Sequence, residues 1–292
     1  VRLNIPRLIA CSTALLLALP AALMAAEEES SAIDRRMDLE WAISDNPFAI
    51  VPHRPTYLLP LRYNSRLNEA PYAATDPELA TEQNELKFQF SFKVPLIKGL
   101  LFSKGFLSFG YTQLSYWQAY SGNYSSPFRE TNHEPELLLV MPAKYRLFGL
   151  DGRLVGLSLN HQSNGRSEPL SRSWNRVMLD FIMEKDDFYL SFKPWLRIPE
   201  HQQSDDNPDI GDYMGNFELR ALQKYRDHSL GIMLRNNLQR ENRGAVQLDY
   251  TFPIGKRLNG YVQIFNGYGE SLIDYDHYSN SVGVGIMLTN WL

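Results

Sequence analysis

Residues 86–94 alternate strictly. Leu86, Phe88, Phe90, Phe92 and Val94 are apolar, and Lys87, Gln89, Ser91 and Lys93 between them are polar. A period of two sends successive side chains to opposite faces of an extended backbone, so this segment is a strand with one apolar face. The pattern returns at 187–193, where Phe188, Leu190 and Phe192 share a face, and again at 246–252 and 282–288. Turn-forming clusters such as Asp205-Asp206-Asn207-Pro208-Asp209 lie between the strands. One-sided strands of this kind build either a sandwich packed on itself or a barrel set in a membrane.

The first 26 residues read differently. Arg2 and Arg7 give a positive start, residues 8–26 carry no charge, and Glu27, Glu28 and Glu29 follow at once. This is the form of a secretory leader cleaved near Ala25 or Ala26, and Pro20 with the small residues around it speaks against an uncleaved anchor. Residues 27–48 are then an N-terminal periplasmic segment and 49–292 the β domain. No window after the leader is apolar enough to cross a bilayer as a helix.

Composition moves the choice toward the barrel. The 16 Tyr, 15 Phe and 5 Trp tend to fall near strand ends, where aromatic girdles meet a membrane interface. At roughly 20 residues for a strand and its turn, the chain after Asn46 holds about 12 strands, an even number that can close. The single cysteine, Cys11, lies in the leader, so the processed chain has no disulfide, thiol nucleophile or zinc-thiolate site. Many secreted sandwiches do use disulfides. The expected fold is all-β, a 12-stranded antiparallel transmembrane β-barrel of the bacterial outer membrane, with a periplasmic sandwich as the alternative. A net charge of −4 and scattered Lys and Arg exclude nucleic acid as a partner.

The candidate chemistry lies between 155 and 181. On the first strand Val155, Leu157, Leu159, His161 and Ser163 share one face; on the second, Ser173, Asn175, Val177, Leu179 and Phe181 do. A hairpin centred on Glu168 would set His161 opposite Asn175, because each is seven residues from the centre. Ser163, His161 and Asn175 would then form one row on the lipid-facing surface. A neutral imidazole between a hydroxyl and an amide can take the serine proton with one nitrogen while the amide oxygen holds the other. Using asparagine avoids placing an unpaired carboxylate against lipid. A His-x-Ser pair on a strand is also compatible with simple interface decoration, as on a porin. No Gly-x-Ser-x-Gly or His-Glu-x-x-His motif is present.

Longer blocks add to this. The run from Asn160-His161-Gln162-Ser163-Asn164-Gly165-Arg166 to Ser171-Arg172-Ser173-Trp174-Asn175-Arg176 resembles the active-site hairpin of the outer membrane phospholipase A family. Ser125-Ser126-Pro127-Phe128-Arg129-Glu130-Thr131-Asn132, Asp205-Asp206-Asn207-Pro208-Asp209-Ile210 and Gly267-Tyr268-Gly269-Glu270-Ser271-Leu272-Ile273-Asp274-Tyr275 extend the resemblance from Asn46 onward. It implies a calcium-dependent hydrolase of phospholipid and lysophospholipid acyl esters, with A1 and A2 specificity, resident in the outer membrane and active as a homodimer. Ser163 would be the nucleophile, His161 the general base and then acid, and Asn175 the residue orienting His161. Calcium would take the Ser171 hydroxyl, the Arg166 carbonyl and the Ser125 carbonyl of the other subunit, with Glu168 and Asp206 as further acidic positions. Glu168 departs from the family, where an aspartate is usual. Gln113 matches a polar residue at the family's dimer contact, the alternative being a lumen-facing glutamine. The connection 164–172 is long for a periplasmic turn, which places the site toward the outer leaflet.

Overall fold

The computed structural model describes residues 31–73, 82–103, 105–122, 127–201, 203, 205–255 and 258–290. The leader, with its cleavage point, and Ser125 lie outside the described residues. The chain opens with helix α1 (Ala32–Ile43) and a two-residue strand β1 (Val51–Pro52). Then come β2 (Thr56–Asn64), the single-turn helix α2 (Ala70–Ala73), β3 (Asn84–Gly99), the single-turn helix α3 (Leu100–Ser103), β4 (Gly105–Trp117) and β5 (Phe128–Leu147). The hairpin of interest is β6 (Leu150–Ser163) and β7 (Ser173–Lys185), followed by β8 (Phe188–Ile198), helix α4 (Ile210–Met214) and β9 (Phe217–Tyr225). The last four strands are β10 (His228–Asn236), β11 (Gly244–Pro253), β12 (Asn259–Tyr268) and β13 (Tyr278–Thr289).

From β2 to β13 each strand pairs antiparallel with the next, and β13 returns to β2 through Val282↔Tyr63 and Val284↔Leu61. The result is a closed barrel of 12 strands, with β1 an added pair of residues on β3 at Val51↔Lys93. Closure removes the free edges that an open sheet would leave. At one end the turns are tight, as at Phe148 and Gly149 between β5 and β6, both in the left-handed region with φ of 52° and 79°. At the other end the connections are long, among them 164–172 and 199–216.

The alternation is inverted relative to a protein folded in water. On β6, Leu157 and Leu159 are 41% and 54% exposed, whereas Ser158 and Asn160 are 4% and 3%. Leu179, Leu196, Leu230, Ile264 and Val284 also face outward, and Lys87, Glu85, Glu134 and Arg176 are buried within. A sandwich would bury the leucines; an apolar exterior around a polar lumen is what a bilayer requires. The lumen is filled at both ends. At the long-loop end Trp174, Met178 and Trp195 pack with Ile210, Met214, Leu272 and Tyr275. At the short-turn end Ile33 and Met37 of α1 pack against Phe106, Leu154, Tyr189 and Leu222. Between the plugs lies a cavity of about 300 Å³ among charged side chains, including Arg54, Glu134, Glu136 and Arg176.

The described part of the N-terminal segment, from Ser31 onward, packs on the barrel through α1. Ser31 caps α1 by accepting from the Asp34 N–H at 2.8 Å, and positions 33, 37 and 40 fall on one helical face. Glu40 carries that face into the lumen, 2.7 Å from Lys93 Nζ and 2.9 Å from Arg36 Nε. Burial alone would raise the Glu40 carboxyl, but Lys93 and Arg36 outweigh it and hold the group below its ordinary range.

Candidate active site

The β6 to β7 hairpin has the register that equal steps from Glu168 require: His161 pairs with Asn175, and Ser163 with Ser173. Its connection is organised by Asn164. The Asn164 amide donates to the Leu170 carbonyl at 2.7 Å, and its side-chain oxygen accepts from the N–H groups of Arg172 and Arg166 at 3.0 and 3.3 Å. Gly165 next to it has φ of 64°, a conformation that glycine adopts without strain. This loop ends both strands together and leaves His161 and Ser163 on the last outward positions of β6.

His161 Nδ1 lies 2.8 Å from Asn175 Oδ1. The other end of the Asn175 amide, Nδ2, donates to Glu200 Oε1 at 2.9 Å. Ser163 is half-buried, two residues along the same outward face, while His161 is exposed on the barrel surface. Behind this row the inward residues are tightly held: Arg176 Nη2 donates to Asn160 Oδ1 at 2.7 Å, and Trp174 Nε1 to Gln162 Oε1 at 2.8 Å. The three residues singled out by the alternation thus share one face of one hairpin.

The neighbouring strand continues the row. His133 on β5 stands opposite Ser163, and Gln113 on β4 stands opposite His133. Gln113 is therefore on the outward face and not in the lumen; it donates to Ser115 Oγ at 3.0 Å and accepts from Tyr111 Oη at 3.3 Å. Tyr111 Oη is also 2.7 Å from His133 Nδ1. Neither His133 nor Glu200 was singled out in the sequence. His133 sits on an outward position of its strand, but the β5 to β6 register that sets it beside Ser163 cannot be counted along the chain, since a bulge intervenes between Pro142 and Tyr145. Glu200 belongs to no periodic segment, so no pattern marks it.

Of the proposed calcium positions, two converge. Ser171 Oγ donates to Asp206 Oδ2 at 2.5 Å. Asn207 Oδ1 accepts from the Ser173 N–H at 2.9 Å, which fastens the loop carrying Asp206 to the start of β7. The Arg166 guanidinium is drawn to the carbonyls of Phe128 and Arg129 at 3.1 and 2.7 Å, on β5, while its backbone remains in the 164–172 connection. Glu168 is exposed at the tip of that connection. Among the described residues no three His, Cys, Asp or Glu side chains gather as a metal site. A cation here would be held by hydroxyl, carbonyl and carboxylate oxygens, a donor set that fits calcium and not a thiolate- or imidazole-seeking metal.

Comparison with known proteins agrees with the geometry. The family profile described as Phospholipase A1 matches residues 33–288. Phospholipase A1 of Escherichia coli strain K12 is 40% identical over 246 residues, 84% of this chain and 83% of the relative. Outer membrane phospholipase A from Escherichia coli, solved in a form with an active-site asparagine changed to alanine, superposes with a TM-score of 0.80 at 39% identity, covering 85% of this chain and 95% of that one. The outer membrane phospholipase of Salmonella typhi, solved as a dimer with bound calcium, gives 0.79 at 38% identity, covering 85% and 94%.

Proposed function

The chain belongs to the phospholipase A1 family and is an outer-membrane phospholipase; on that premise we propose that Ser163, His161 and Asn175 carry its hydrolysis. The observation that supports this most directly is the 2.8 Å approach of His161 Nδ1 to Asn175 Oδ1, with Ser163 on the same outward face. Asn175 accepts the Nδ1 proton and so leaves Nε2 as the base. His161 Nε2 takes the Ser163 proton as Oγ attacks the ester carbonyl, and a tetrahedral oxyanion forms. Collapse breaks the bond to the glycerol oxygen, which leaves with the proton from His161. Water then attacks the acyl-Ser163 ester, again deprotonated by His161, and the fatty acid departs. The relative with an altered active-site asparagine supports an asparagine in this role.

The reading includes calcium, held by the Ser171 hydroxyl, the Arg166 carbonyl and Asp206, with Ser125 of a second copy and Glu168 as further contributors. When bound there, the ion supplies positive charge that stabilises the oxyanion. It also includes a homodimer: the outward row Gln113, His133 and Ser163 runs toward a face where a second barrel can wall in the acyl chain. The calcium-bound dimer of the Salmonella relative supports both. A site on the outer surface keeps the acyl chain in hydrocarbon while the ester reaches Ser163. The long connections beside it favour the outer leaflet, and the reading covers both phospholipids and lysophospholipids, cleaved at either acyl position. A porin would need an open lumen, and both ends of this one are packed.

The test is fatty-acid release from mixed phospholipid micelles by the refolded protein, with calcium, with chelator, and with Ser163→Ala. Release should require both calcium and Ser163. Parental release by a folded Ser163→Ala variant would remove the assigned nucleophile.

A further inference from the structure

Asn175 has two chemically different ends, and only one of them serves His161. If the amide turned over, Nδ2 would face the imidazole, and a donor there would draw the ring into the tautomer whose proton sits on Nε2, the wrong nitrogen for a base toward Ser163. Neither the Ser163 row nor the strand pairing decides which end faces the ring. Glu200 does. Its Oε1 accepts from Asn175 Nδ2 at 2.9 Å, and an ionised carboxylate has no proton to give, so it can satisfy only the Nδ2 end.

We infer that Glu200 is a positioning residue for the hydrolysis, fixing the orientation of Asn175 and through it the tautomer and direction of His161. This rests on the reading of Ser163, His161 and Asn175 given above. A hydrogen bond to a carboxylate is shorter and stronger than one between neutral groups, and it polarises the amide so that Oδ1 becomes a better acceptor for the imidazole proton. The effect is greatest when His161 becomes an imidazolium, which occurs during the attack and not in the resting enzyme. Glu200 therefore acts on the chemical step and not on lipid binding.

The placement explains how a charge is tolerated at this surface. Asn175 is opposite Ile198, the last residue of β8, and Glu200 lies two residues beyond, outside the strand. The carboxylate sits at the rim, where water and headgroups can solvate it, and reaches the lipid-facing row only through a neutral amide. Arg197, three residues earlier, is turned to Asp205 at 2.6 Å and to the Pro208 carbonyl at 2.9 Å. Its ion pair is made with Asp205.

The experiment compares Glu200→Ala, Glu200→Gln, Asn175→Ala and the double variant Asn175→Ala/Glu200→Ala in micelles with saturating calcium, beside Ser163→Ala. Heat-modifiable gel mobility shows that each barrel is folded. Glu200→Ala should lower kcat by roughly tenfold with KM unchanged, the scale of losing one orienting hydrogen bond in the transition state. Glu200→Gln keeps an acceptor oxygen and should recover most of the loss. In the double variant kcat should match that of Asn175→Ala alone, because the two residues act in series. Parental kcat in Glu200→Ala overturns the inference while leaving the triad in place. So does a loss carried by KM, or a further loss on the Asn175→Ala background. Parental activity in Ser163→Ala or Asn175→Ala removes the triad reading itself, and this one with it.

Discussion

Asn160 and His161 are consecutive in the chain and occupy different solvents. Asn160 faces the lumen, 3% exposed, bonded to Glu134 Oε1 at 2.8 Å and to Arg176. His161 faces outward and touches a neutral amide. The same contrast runs through the barrel. Inside, charges are admitted because many meet an opposite: Arg129 reaches Glu85 at 2.9 Å and Asp274 at 3.1 Å, Lys87 reaches Glu270 at 3.0 Å, and Arg62 bonds both Glu85 and Glu270. On the outward row the three candidate groups are a hydroxyl, an imidazole and an amide, none of them a fixed charge set against lipid. The inner face holds the strands in place, and the outer face carries the row proposed for the chemistry.

If the faces are separable in this way, substitutions on each should move different measurements. The largest effect belongs to the outer face: Ser163→Ala should lower hydrolysis by at least about 10³-fold, as for removal of a serine nucleophile elsewhere. Its urea midpoint should stay at the parental value, and a large fall would mean that the outer row also supports the barrel. Arg129→Ala should do the reverse. It takes one of two cations from Glu85 and the paired cation from Asp274 in the lumen, for a cost of about 3–5 kcal/mol, read as a lower urea midpoint. An unchanged midpoint would mean that water replaces the guanidinium without penalty.

Asp206→Asn tests the junction between the faces. It removes the carboxylate beside Ser171 and should raise the calcium concentration for half-maximal activity by roughly tenfold, while activity at saturating calcium is kept. An unaltered calcium requirement would confine Asp206 to holding the loop. The smallest effect is at the far mouth. The Glu40 carboxyl titrates lower in the folded protein than its ordinary value of 4.5, so its stabilisation of α1 is complete above that value and is lost as pH falls through the lower folded value. A nitroxide at the exposed Leu39 should gain mobility on acidification below about pH 4.5, and Glu40→Gln should abolish that pH dependence. A pH response surviving in Glu40→Gln would point to another group.

The strands were legible where alternation ran unbroken, as from Leu86 to Val94, and the His161 to Asn175 pairing was legible because a single hairpin joins them. Its register is a matter of counting from Glu168. The choice between sandwich and barrel was less so, since alternation tells that the faces differ and not which one meets solvent. The buried Lys87 and Lys93 beside exposed Phe90 decide it. His133 and α1 were not legible for a common reason. Each depends on contacts across strands or along the barrel axis whose register is set by bulges and packing far from the residues themselves.

Sequence alone determined what is local: strand periodicity, the hairpin that brings imidazole to amide, and a row of uncharged polar groups suited to lipid. Tertiary structure decided what is not local. Closing β13 onto β2 put the charges inside and the leucines out and drew α1 into one mouth, while the irregular chain after β8 set Glu200 at the back of Asn175. Side-chain period is a property of a few consecutive residues. Which groups meet across a closed barrel follows from shear and closure, which depend on all 12 strands at once.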